Sequence, residues 1–176
     1  MAVLEIRKYP DEVLKKKALP VENIDRSLQR LIDDMIETMY AAPGIGLAAP
    51  QVGISKRLIV IDVSLGEEKN SLIVLINPEI MDTEGIADSD EGCLSVPGYN
   101  STIKRAEKVT VKGLDRNGKP VQIEGDEMLA RALQHEIDHL DGILFVDRMS
   151  SIKKEFFKKK YLKKSAVCSQ ESAVRR

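Results

Sequence analysis

The heptapeptide QHEIDHL, residues 134–140, holds both histidines of a 176-residue chain, His135 and His139, with Glu136 beside the first. Imidazoles at i and i+4 of a helix can converge on one ion, and a carboxylate at i+1 then lies next to the water that ion binds, which is the geometric content of H-E-x-x-H. At about 100° per residue, Leu129, Leu133, Ile137 and Leu140 form an apolar stripe, and Glu127, Arg131, Gln134, Asp138 and Asp141 a polar arc. His135 and His139 share a third arc with Met128, Ala132 and Glu136, which faces a semi-buried region rather than bulk water. An isolated histidine there would more often be a hydrogen-bonded core residue than a ligand. The pair, in a clean helical frame, turns the reading to a metal site.

Two protein ligands rarely hold a catalytic ion, so a third donor is needed. Downstream there is no further histidine, and Glu155 lies inside the basic run KKEFFKKK, which weakens an H-E-x-x-H peptidase reading. Upstream, DEGCLSVPG (90–98) sets Cys93 between Gly92 and a Pro-Gly turn, where the backbone can bend close to a bound molecule. Gly92 is on that ground a substrate-binding position. A lone cysteine is most often a small buried hydrophobe. Two histidines on one helix that lack a partner make Cys93 the third candidate ligand.

These residues need a frame. PDEVLKKK (10–17) suggests a short helical turn, and DRSLQRLIDDMIETMY (25–40) an amphipathic helix behind an Asp25 N-cap. Pro43 closes it, and the glycine- and proline-rich APGIGLAAPQVG (42–53) reads as a loop. Strand-like runs follow at 57–63, 71–81, 108–115 and 119–125, with Arg116-Asn117-Gly118 as a hairpin turn. The histidine helix covers 126–140. Strands mostly at hairpin spacing between helices predict an α+β fold: small mixed or antiparallel sheets packed around the central H-E-x-x-H helix, with an N-terminal and a C-terminal helix. In SSIKKEFFKKKYLKK (150–164), Ile152, Phe156, Phe157 and Tyr161 are the expected packing side chains of that last helix, its lysines facing out. Residues 1–150 read as the catalytic domain and 151–176 as a basic helix and tail.

The length suits one hydrophobic core, and a net charge of −1 gives no global reason to expect nucleic acid. The charge is nevertheless segregated: residues 153–176 carry nine Lys and Arg against two Glu, or +7, leaving −8 for the rest. No apolar stretch approaches the roughly 20 residues that span a bilayer, and MAVLEIRKYP meets charges too early for a secretory signal. Two cysteines are too few for a disulfide framework. The expectation is a cytoplasmic protein without a membrane partner or sequence-specific nucleic acid.

GIGLAAPQ (44–51), EGCLS (91–95) and QHEIDHL (134–140), in this order and at these intervals, resemble the three signature motifs of peptide deformylases, which remove the N-formyl group from nascent bacterial proteins. The resemblance extends from the leading helices to Arg148. It implies a metal-dependent hydrolase that acts on formyl-methionyl nascent polypeptides and releases formate. One divalent ion would be held by Cys93, His135 and His139 with a fourth position open. Fe²⁺ is the implied native ion and Zn²⁺, Ni²⁺ or Co²⁺ the substitutes, all compatible with mixed thiolate and imidazole donors.

By the same resemblance, Glu136 takes the proton of the attacking water and passes it to the departing amine, while the Gln51 amide and the Leu94 backbone N–H donate to the oxyanion. Gly46 pairs with the substrate backbone, and Ile45 lines the formyl-methionine pocket. Glu91 reads equally as a brace behind the site or as a solvated acid. The run PGYNSTIKR departs from members that carry an arginine near the position of Asn100, which bears on peptide contacts and not on the chemistry. Related enzymes with a C-terminal helix dock it on the ribosome, and a basic segment suits rRNA phosphates; a solvated face has equal weight. An H-E-x-x-H peptidase and a ribosome-associated protein with a structural metal are the alternatives. Loss of formyl alone from a formylated peptide separates the first. The second needs a fourth protein ligand, for which Cys168 in the lysine-rich tail is poorly placed.

Overall fold

The run Leu58–Ile61 is apolar and buried at every position, as a strand can be only where both its faces are covered. In the computed structural model, which describes residues 2–174 and side chains as far as residue 163, this run is strand β2. It belongs to a five-stranded sheet of order β1-β2-β3-β6-β7, with β1 Gly46–Ala48, β3 Ile73–Glu84, β6 Lys108–Leu114 and β7 Pro120–Asp126, every neighbour antiparallel. Leu58 and Val60 pack with Leu28, Ile32, Met35 and Met39 of helix α1 (Arg26–Ala41). Ile59 and Ile61 pack with Leu133, Ile137 and Leu140 of helix α2 (Glu127–Leu140). The two helices therefore lie on opposite faces of the sheet, and a one-residue slip of β2 would send each side chain to the wrong one.

The predicted punctuation is in place. Asp25 accepts a hydrogen bond from the Leu28 N–H at 2.9 Å and caps α1. The Arg116–Gly118 turn joins β6 to β7, with Gly118 at φ +81°, where a side chain is strained. A second sheet is a two-stranded ribbon, β4 Ala87–Cys93 against β5 Val96–Arg105. Its Val96 and Ile103 share a third apolar cluster with Phe145, Val146, Met149 and Phe157, the last from helix α3 (Ser151–Val174).

The architecture is α+β as expected, both sheets are wholly antiparallel, and the parallel contact is an isolated bridge between Leu19 and Lys56. Two local expectations are corrected, and one segment left unassigned finds its element. The stretch read as a loop contains β1 and a 3-10 turn, Ala49–Val52, because Gly46–Ala48 finds paired partners in Ile59–Ile61. EGCLS begins inside β4, a strand without apolar alternation. On α3, Phe157 and Tyr161 make the packing face, 5.4 and 5.6 Å from the Tyr9 ring, whereas Ile152 and Phe156 are each 69% exposed. Residues 157 and 161 share one helical face, and 152 and 156 share another about 100° away. The side chain of Cys168 lies outside the described residues.

Candidate metal centre and catalytic cavity

Helix α2 presents His135 and His139 on one face, and the β4–β5 turn brings Cys93 against them. Cys93 Sγ lies 3.3 Å from His139 Nε2, and that nitrogen lies 3.2 Å from His135 Nε2. All three candidate donor atoms fall within 4.8 Å of one another. Tetrahedral bonds of about 2.0–2.1 Å to nitrogen and 2.3 Å to sulfur place neighbouring donors roughly 3.3–3.6 Å apart. The two observed separations lie within about 0.3 Å of that polyhedron, so the thiol and two imidazoles fit one divalent ion.

His135 is braced, whereas the buried Nδ1 of His139 has no hydrogen-bond partner among the described residues. Glu91, 8% exposed, meets His135 Nδ1 at 2.8 Å and is itself gripped by Arg105, whose Nε and Nη2 donate at 2.8 and 3.0 Å; the Ser89 hydroxyl adds a bond at 2.9 Å. Arg105 also donates to Asp138 at 2.6 Å, and Arg148 grips the same Asp138 with two bonds of 2.5 and 2.6 Å. A buried chain of alternating charge thus runs from the His135 ring to the end of α2. Burial opposes ionisation of Glu91, but hydrogen bonds from Arg105 and His135 outweigh it and hold its pKa at about 2. Burial likewise disfavours a charge on His135, yet its contacts with Cys93 and Glu91 carry its pKa well above the ordinary histidine value. Burial and the neighbouring His135 push His139 well below it, which leaves a neutral ring with a lone pair to offer.

Above the trio opens a cavity of about 490 Å³ whose lining includes Gly44, Ile45, Gly46, Gln51, Glu91, Gly92, Cys93, Leu94, His135 and Glu136. The Gln51 side chain is fixed end for end. Its Oε1 accepts from the Ala48 N–H at 2.9 Å, so Nε2 faces Cys93 Sγ at 3.5 Å and Ser95 Oγ at 3.2 Å. Glu136 is 4% exposed, and its Oε2 has no hydrogen-bond partner among the described residues. Burial raises its pKa to about 7, with His135 opposing the rise and Glu91 adding to it. A buried carboxyl with one free oxygen among the described residues, its pKa raised toward neutrality beside a candidate ligand cluster, is equipped to exchange protons.

Glycines make room for this arrangement. A Cβ on Gly46 would stand 2.5 Å from Glu136 Oε1, and one on Gly92 would stand 2.6 Å from Asn100 Oδ1. Asn100 thus sits over the strand that carries Cys93. All nine residues singled out in the sequence meet here: His139 buried beneath the other two donors, the other eight on the cavity wall. The sequence reading gave no site role to Arg105 and Arg148, which lie outside all three motifs, to Asp138, which it placed on the polar arc of the histidine helix, or to Ser95, which orients Gln51. It left Glu91 undecided; the Arg105 and His135 contacts make it a brace.

A thiol, two imidazoles, a buried carboxyl and an open cavity are the parts a metal-dependent hydrolase needs. The polypeptide deformylase family model matches residues 3–155. A peptide deformylase of Thermodesulfovibrio yellowstonii is 66% identical over 161 residues, 92% of this chain and 98% of that one. One of Syntrophobacter fumaroxidans is 56% identical over 164 residues, 93% and 96% of the two chains. The crystal structure of a peptide deformylase from Legionella pneumophila superposes with a TM-score of 0.89 at 52% identity, covering 96% of this chain and 98% of the other. That of a Synechococcus elongatus peptide deformylase in complex with actinonin gives 0.84 at 48% identity, covering 89% and 87%. The chain belongs to the peptide deformylase family.

Proposed function

We propose that this enzyme hydrolyses the N-formyl group of formyl-methionyl nascent polypeptides, releasing formate and a free methionine amine. The reading rests above all on the Glu136 carboxyl, whose Oε2 has no hydrogen-bond partner among the described residues and which lines one cavity beside a thiol and two imidazoles set at metal-ligand spacing. Cys93, His135 and His139 would hold a divalent ion, Fe²⁺ in the native protein with Zn²⁺, Ni²⁺ or Co²⁺ as substitutes, and the mixed donor set supports any of them. Bound there, the ion supplies Lewis acidity that makes hydroxide available near neutral pH. Glu136 accepts the proton of the attacking water and delivers it to the leaving nitrogen. Gln51 Nε2, held outward by Ala48, and the Leu94 N–H donate to the oxyanion, each such donor being worth about 3–4 kcal/mol in the transition state.

The substrate backbone adds to the free edge of β1 at Gly46, next to Ile45 and the methionine pocket; main-chain pairing ignores side-chain identity and so accepts many nascent sequences. Gly92, which lines the cavity opposite, keeps the second wall close to that backbone. Formate release from a formyl-Met peptide by anaerobically prepared protein, and its loss in Glu136→Ala with metal retained, is the decisive test. A formylated peptide cut internally would refute the reading.

No described helix is long and apolar enough to cross a membrane. We place the enzyme in the cytoplasm, where nascent chains emerge, with the basic α3 docking on the ribosome. Lys158, Lys159 and Lys160 are exposed and leave Phe157 undisturbed, so their joint conversion to glutamine isolates the electrostatic contribution. Ribosome cosedimentation that is unchanged at low and moderate salt would remove the docking idea.

A further inference from the structure

Pro43, Gly44, Ile45 and Gly46 form the cavity wall that carries the free edge of β1. One residue outside the chemistry pins this wall at both ends. The Asp62 N–H donates to the Ile45 carbonyl at 2.8 Å, extending the β1–β2 pairing one rung past Gly46 and Ile61. The Asp62 side chain accepts from the Tyr40 hydroxyl at 2.6 Å, near the end of α1 and three residues before Pro43. The wall is therefore held upstream by the carboxylate of Asp62 and downstream by its backbone.

That carboxylate is 1% exposed. Besides Tyr40 it accepts from the Ser64 N–H at 2.9 Å, the Ser64 hydroxyl at 2.7 Å, the Ser71 hydroxyl at 2.6 Å and the Gly66 N–H at 3.0 Å. No Arg, Lys or His pairs with it among the described residues. The donors come from a helix end and from both limbs of the 62–71 loop, so the group works as a geometric clamp and not as a counter-charge. The loop accepts left-handed backbone at Leu65, φ +56°, and at Gly66, φ +86°, to wrap the oxygens.

We propose that Asp62 is a positioning residue for the substrate backbone: through Tyr40 and the Ile45 carbonyl it holds Pro43–Gly46 in register, so that β1 meets an incoming chain as a preformed template. The proposal rests on the deformylase reading, in which substrate pairs with β1. It distinguishes substrates that have a backbone to pair from those that have none.

The test compares kcat and KM for a formyl-Met tripeptide and for N-formylmethionine, using full-length, metal-loaded wild type, Asp62→Asn and Tyr40→Phe. Wild type should favour the tripeptide. In Asp62→Asn the tripeptide KM should rise about tenfold, the equivalent of one to two backbone hydrogen bonds. Its kcat should stay within about twofold, and N-formylmethionine should be nearly unaffected, so the preference collapses. Tyr40→Phe, which removes only the upstream pin, should lose part of the preference and carries the same test where Asp62→Asn does not fold. An unchanged preference in a folded variant, or an equal fall for both substrates, overturns the proposal. Wild type that releases no formate from either substrate overturns the deformylase reading itself, and the Asp62 proposal with it.

Discussion

Gly46→Ala tests whether the chemistry depends on where the Glu136 carboxylate stands. The new methyl carbon would lie 2.5 Å from Oε1 and 2.9 Å from both Cγ and Cδ of Glu136. Carbon atoms in good contact stand about 3.5–4.0 Å apart, so the two groups must separate by roughly 0.6–1 Å. The strand cannot supply the movement, because Gly46 is paired with Ile61 and the next two residues, Leu47 and Ala48, are fully buried. The carboxylate, at the end of its side chain and facing the cavity, yields instead. A misplacement of about 1 Å costs on the order of 10²-fold in rate. Formate release should therefore fall about 10²-fold in kcat, and metal content should match wild type because the substitution leaves Cys93, His135 and His139 alone. Overpacking should cost about 1–3 kcal/mol in stability by urea unfolding. Shortening the acid in Gly46→Ala/Glu136→Asp relieves the clash, so the double variant should lose less than the sum of the single losses. Wild-type kcat in Gly46→Ala, measured beside an inactive Glu136→Ala, would refute the reasoning, since the carboxylate would then serve equally well from elsewhere.

Other outcomes follow from the same geometry. Glu91 has its pKa lowered from 4.5 to about 2, so its stabilising contribution is complete above the unfolded value and is lost as pH falls from about 4.5 toward 2. A shift of this size corresponds to ~3 kcal/mol; the stability gap between wild type and Glu91→Gln should narrow by about that much between pH 7 and pH 2.5, and a gap independent of pH would contradict the assignment. Exhaustive chelation should abolish formate release and added Fe²⁺, Co²⁺, Ni²⁺ or Zn²⁺ should restore it, whereas Cys93→Ala should resist restoration; activity in protein shown to be metal-free by mass spectrometry would end the metal reading. Phe157→Ala removes a ring that is 2% exposed and should cost about 3–5 kcal/mol. Phe156→Ala, at a position 69% exposed, should stay within about 0.5 kcal/mol, and equal thermal shifts for the pair would contradict the packing of α3.

What the sequence made legible divides along a physical line. Helices α1 and α2 and strands β2, β3, β6 and β7 write their burial in apolar periodicity, since each contributes side chains to a cluster that excludes water. The ribbon β4–β5 does not. Along Asp88-Ser89-Asp90-Glu91, burial alternates as a half-buried strand should, with Ser89 and Glu91 inside and both aspartates outside, yet all four residues are polar. A hydropathy pattern is blind to that alternation, so the segment holding Cys93 gives no strand signal.

The same blindness applies to the polar arc of α2. Gln134 and Asp138 are 8% and 7% exposed, where polarity alone would put them in water. Gln134 brackets the backbone N–H and C=O of Ala106 at 3.0 Å each, and Asp138 joins Arg105 to Arg148. Their partners lie 28, 33 and 10 residues away, beyond the reach of any periodicity. Breaking one partner of a buried ion pair costs about 3–5 kcal/mol, whereas replacing the whole set with apolar groups can be neutral for stability. Stability by itself therefore does not require this network, but the orientation of His135 does. Glu91 can hold the imidazole only while Arg105 holds Glu91, and Arg105 is fixed in turn by Asp138, one turn of α2 beyond Gln134. The helix that carries both histidines thus braces His135 through the opposite ribbon, which ties the rotation of α2 to the aim of that ring.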